Sequence, residues 1–124
     1  MKNNFLLRLS MTKGIGAVGK QRIYQFAKRH QHWQFDSLEI RLLAQTTRKN
    51  DWNEWDEERL NEIKRMHQYI TIEDSVYPEQ LKHVPTPPLV LFYKGDLAFL
   101  ERKMLAVVGA RDASRYGYLV LQAL

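Results

Sequence analysis

The 124-residue chain has no cysteine, which excludes disulfides and thiolate metal sites. It has no apolar run near the ~18 residues that a membrane span needs. Residues 1–11 lack the apolar core and cleavage site of a signal peptide. A cytoplasmic protein with no membrane contact is expected. His30 and His32 have no carboxylate beside them before Asp36, and His67 and His83 are isolated. No metal site and no cofactor are expected, and the four histidines read as structural or exposed. Acid is absent from the first 35 residues, which hold Lys2, Arg8, Lys13, Lys20, Arg22, Lys28 and Arg29. Over residues 36–74 the balance reverses, with ten acids against six bases. The net charge of +5 therefore says less than its distribution. A one-signed basic segment suits a polyanion partner, and equally suits a solvated face on a small helical module.

The chain carries six glycines, three of them at 14, 16 and 19. Phe5, Leu6 and Leu9 recur at helical spacing, which predicts a first helix over about 3–11. Gly14-Ile15-Gly16 then turns the chain into a second helix beginning near Ala17, with Val18, Ile23, Phe26 and Ala27 inward. This resembles the helix-hairpin-helix motif, whose turn amides contact nucleic-acid phosphates with nearby cations in support. Lys13, Gly14, Gly16 and Lys20 form a second, weaker DNA-binding candidate, with Arg22 beside them. The same hairpin also serves simply to pack helices. Asp36 and Glu39 predict a capping box opening a third helix with Leu38, Leu42 and Leu43 buried. Asp51 and Glu54 repeat the device for a fourth helix. There Trp52, Trp55, Leu60, Ile63, Met66 and Ile70 follow a period near 3.5 and read as one core stripe. On so acidic a helix the tryptophans are expected in the core rather than against bases.

Residues 1–69 thus read as a bundle of four or five helices. Beyond them the pattern changes. Thr71, Ile72 and Glu73 suggest a strand, and Pro78 opens a short helical turn. Pro85, Pro87 and Pro88 force an extended entry to a strand at 89–93. The run Leu105-Ala106-Val107-Val108 suits a parallel strand buried on both faces. Gly109 ends that run, and Ser114 is an N-cap candidate for a following helix. Strand, glycine turn and helix start make the opening unit of a doubly wound α/β domain, with its ligand beyond the strand's carboxyl end. Gly109 lets a ligand approach the backbone, and Arg111 adds a planar cation, so the turn suits a phosphate; Arg111 paired with Asp112 is the bland alternative. At this turn the pattern is not Gly-x-Gly-x-x-Gly, since position 111 is Arg and the next glycine is Gly117, nor is it the Gly-Lys-Ser/Thr phosphate loop. The apolar stretch at 118–124 lacks a helix stop. The chain is expected to be a piece of a longer protein, cut inside its α/β part.

Three blocks resemble the DNA-processing protein A (DprA, or Smf) family. They are Ile72-Glu73-Asp74-Ser75-Val76-Tyr77-Pro78-Glu79-Gln80-Leu81, Pro87-Pro88-Leu89-Val90-Leu91-Phe92-Tyr93-Lys94-Gly95, and Val107-Val108-Gly109-Ala110-Arg111-Asp112-Ala113-Ser114-Arg115-Tyr116-Gly117. The resemblance implies a helical helix-hairpin-helix or sterile-alpha-motif-like domain at 1–69, followed from 70 to 124 by the start of an extended Rossmann-like domain. It implies a non-enzymatic protein of natural transformation that binds and protects single-stranded DNA and loads the RecA recombinase, with a homodimer in the full-length protein. The DNA-gripping turn carries over to Gly109, Ala110 and Arg111, with Ser114 a neighbour. Thr86 departs from the family pattern, which often has an acid before the two prolines. Two other functions fit the residues. One is a Rossmann-like enzyme hydrolysing nucleotides, and the other a helical protein-interaction module.

Overall fold

The computed structural model describes residues 2–94. Their order is α1 (Lys2–Met11), α2 (Ala17–His30), α3 (Ser37–Leu43), a 3-10 turn (Trp52–Glu54), α4 (Glu57–Met66), β1 (Gln68–Thr71), a second 3-10 turn (Glu79–His83) and β2 (Val90–Tyr93). The parallel strand and glycine turn expected at 105–114 lie outside the described residues.

Helix α1 is the centre of the packing. Phe5, Leu6, Leu7 and Leu9 are buried along it, a wider apolar face than a surface helix shows. The ring of Phe5 lies 5.4 Å from Trp33, 5.6 Å from Phe35 and 5.9 Å from Trp52. Trp52 satisfies its indole nitrogen by donating to the Phe35 carbonyl at 2.9 Å. The tryptophans are core, as their spacing implied, with Trp52 2% and Trp55 7% exposed. The capping box at α3 is present. Asp36 accepts from the Glu39 amide at 2.8 Å, and Glu39 reaches back to the Asp36 amide.

Two expectations about the helices fail. Trp52 to Ile70 is not one helix. Trp55 leaves helical geometry at φ −89°, ψ 65°, and Asp56 restarts the chain by capping α4 through the Arg59 amide. Asp51 caps nothing, and Ile70 belongs to a strand. Trp52, Trp55, Leu60 and Ile70 of the expected stripe are buried and Ile63 packs against them, but Met66 is 68% exposed. The inward faces also differ. Val18 is 55% exposed, Leu38 52% and Leu42 67%, while Ile40 carries the burial of α3. A helix of seven residues has room for only one fully covered position here.

Strands β1 and β2 pair antiparallel, with Gln68 opposite Tyr93 and Thr71 opposite Val90. The pairing starts before the expected strand at 71–73. It stops at Thr71 because the chain turns there: Asp74 accepts from the Thr71 amide at 2.6 Å and donates its own amide to the Thr71 carbonyl at 2.9 Å. The turn at Pro78 and the extended approach to β2 are as the prolines predict. Helix α1 packs on both strands and α4 on β1. One apolar cluster consequently runs from Phe5 through Leu60 to Phe92. No described helix is long and apolar enough to cross a membrane.

Candidate nucleic-acid interface

Gly109, Ala110, Arg111 and Ser114 lie outside the described residues. The hairpin candidate is described in full. Gly14 sits at φ +94°, a conformation L side chains rarely adopt. A Cβ there would collide with the Lys49 carbonyl oxygen, so the loop at 45–50 lies directly on the hairpin. The two are also tied by polar contacts. The Lys13 amide donates to Asp51 Oδ1 at 2.6 Å, and the Asp51 amide donates to the Lys13 carbonyl at 3.3 Å. Gly16 is different. A Cβ there would meet nothing within 4 Å, and no side chain caps α2 at this residue. Lys20 donates to the Ser10 carbonyl at 2.8 Å, which turns its ammonium onto the end of α1. The hairpin thus brings Lys13, Gly14 and Gly16 together at the turn and spends the Lys13 amide and the Lys20 ammonium on internal bonds.

Spacing did not reveal what accompanies the hairpin. Asp51, Arg48 and Lys49 come from 30 or more residues away in sequence. The one signal was a second acid-free stretch, residues 40–50, holding Arg41, Arg48 and Lys49. Lys13, Arg48 and Lys49 are exposed, and Arg22 on α2 reaches the Ala44 carbonyl at 3.4 Å beside them.

The sequence profile of the DNA recombination-mediator protein A family matches residues 68–124. Over that segment the chain is similar to the DNA recombination-mediator protein A family. It is 39% identical over 56 residues to the DNA processing protein DprA of Bacillus subtilis (strain 168), covering 44% of this chain and 19% of that protein. It is 43% identical over 47 residues to the DNA processing protein DprA of Streptococcus pneumoniae (strain ATCC BAA-255 / R6), covering 38% of this chain and 17% of that one. The matched stretch therefore spans less than a fifth of either relative. No solved structure matches the chain.

The described part of the matched segment is fastened to the helices through its own blocks. Tyr77 is buried and donates to the Pro88 carbonyl at 2.8 Å, joining the first block to the second. Burial pushes its phenol well up. Gln21 of α2 donates to the Pro87 carbonyl at 2.6 Å. Glu73 receives the phenol of Tyr24 and lies 3.5 Å from both Lys2 and Lys28. Partial burial raises the Glu73 carboxyl, but the Tyr24 hydrogen bond and the charges of Lys28 and Lys2 outweigh it and hold the group below its usual range. The same contact, with burial, raises Tyr24. Glu73 thus consumes much of the positive charge on the outer side of α1 and α2. Arg8 is consumed differently. It stacks 4.1 Å from the Trp52 ring and donates to the Trp52 carbonyl at 2.9 Å, and burial lowers its pKa.

Proposed function

We propose that the chain belongs to a non-enzymatic, cytoplasmic single-stranded DNA-binding protein of DNA uptake and recombination, which shields incoming strands and loads RecA. The family match over residues 68–124 carries this reading, because it includes the block that holds Gly109, Ala110 and Arg111. Gly109 has no side chain to hinder a ligand, Arg111 supplies a fork of donors, and Ser114 adds a hydroxyl. Those groups suit the phosphate common to all nucleotides, so binding is sequence-neutral and salt-sensitive. The helix-hairpin-helix or SAM-like part at 1–69 and the Rossmann-like part beginning at 70 act as one unit in a homodimeric whole protein.

The test is fluorescence anisotropy of labelled oligothymidine against the whole protein across a salt series. The expected result is affinity that falls steeply with salt and is abolished by Arg111→Glu. Absence of salt-sensitive binding by the wild type, with turnover of a nucleoside monophosphate instead, would put the nucleotide-hydrolysing reading in its place.

A further inference from the structure

We infer that the hairpin at 12–16 and the loop at 45–50 form one basic ridge. It holds a further length of single-stranded DNA by its phosphates, through residues other than Gly109, Ala110, Arg111 and Ser114. The inference rests on the DNA-binding reading above and assigns that function a second surface.

Four observations carry it. First, the two loops are fixed to each other. Gly14 lies against Lys49, the Lys13 amide donates to the Asp51 carboxylate while the Asp51 amide donates to the Lys13 carbonyl, and Asn50 donates its side chain to the Ser37 carbonyl at 3.2 Å. The backbones that carry the cations are therefore held in a set arrangement, which lowers the ordering cost of binding. Second, the ridge gathers charge of one sign from two acid-free stretches, with Lys13, Arg48 and Lys49 exposed and Arg22 and Arg41 at its side. Third, the side chains that carry that charge are not drawn into ion pairs. The ion pairs among the described residues involve Lys2, Lys28 and Lys82, and none involves Lys13, Arg48 or Lys49. Asp51, the acid at the edge, has turned an oxygen to a backbone amide. Fourth, the two loops at 12–16 and 45–50 expose no apolar or aromatic side chain. Ile15 and Ala44 are buried, and the remaining members of the two loops are Thr, Gly, Gln, Arg, Lys and Asn. A protein partner needs an apolar centre to desolvate, and bases need a ring to stack on. Phosphates need neither.

The experiment compares oligothymidines of about six and about thirty nucleotides on the whole protein, since single-strand grooves track from ~4 to ~16 nucleotides. The variants are Lys13→Glu/Arg48→Glu/Lys49→Glu and the milder Lys13→Gln/Arg48→Gln/Lys49→Gln, each with a wild-type melting temperature. The expected result is a loss of about 10- to 100-fold on the long strand at low salt, with a smaller loss for the glutamine variant. The log–log salt slope should flatten by about 2, from ~0.7 for each of three phosphates. The short strand should bind as before. Unchanged affinity and slope on the long strand would overturn the ridge while leaving the DNA-binding function standing. So would altered self-association in sedimentation with DNA binding intact, which would make the ridge a contact between copies. No salt-sensitive binding by the wild type at either length would remove both.

Discussion

On one face of the helices Lys2 and Lys28 converge on Glu73, and on the other the side chains of Lys13, Arg48 and Lys49 form no ion pair among the described residues. Both faces draw on the acid-free start of the chain. They differ because the first meets an acid returning from the far end of β1, whereas Asp51, the acid nearest the second, is bonded to a backbone amide. Charge along a sequence becomes charge on a surface only after the fold has decided which acids come back.

The largest effect should come from the glycine that holds the ridge together. Gly14→Ala places a Cβ against a backbone carbonyl at φ +94° and should cost about 2 kcal/mol or more in urea unfolding. It should also loosen the ridge and weaken DNA binding more than a neutral surface change would. Wild-type stability would mean that the 45–50 loop is not held by this contact.

Next is Glu73→Gln, which makes the two faces alike. The amide still accepts from Tyr24 but no longer neutralises Lys2 and Lys28. A loss of about 1–2 kcal/mol is expected, together with elution from heparin at higher salt. Unchanged retention would show that those lysines are already masked in another way.

Acid should reproduce this change gradually. The folded Glu73 carboxyl lies below its unfolded value, so its stabilisation is complete above the ordinary carboxylate pKa of about 4.3 and is lost as pH falls through the folded value. The difference in melting temperature between wild type and Glu73→Gln should stay constant above about pH 5 and close below about pH 4. A gap that persists in acid would assign the effect to packing. The smallest change is Asp51→Asn. An exposed carboxylate becomes a weaker acceptor for the Lys13 amide, costing less than about 1 kcal/mol and slightly raising long-strand affinity.

The pieces legible in sequence were those set by near neighbours. The Gly14-Ile15-Gly16 turn, the Asp36–Glu39 box and the proline-led entry to β2 each depend on residues within a few positions, and each is present. Failures came where a local rule could be satisfied in two ways. The Trp52-to-Ile70 period is shared by a 3-10 turn, a helix and a strand packed on one core, so periodicity alone joined them. Leu38 and Leu42 have helical spacing, but which side of so short a helix is covered depends on α2 and the Trp52–Glu54 turn. The links from Tyr24 to Glu73 and from Lys13 to Asp51 leave no mark in sequence, because nothing local selects one partner among many acids.

The continuous core also imposes a timetable on synthesis. Leu6, Leu7 and Leu9 are completely covered in the finished structure, and α1 that carries them rests partly on β1 and β2. The second of those strands leaves the ribosome roughly 80 residues after them, a wait of about 4–16 seconds at common elongation rates. For that interval the first helix presents an uncovered apolar side to the cell. The nascent chain is then a client for chaperones, and a stall before residue 90 leaves a product whose first helix has not found its floor.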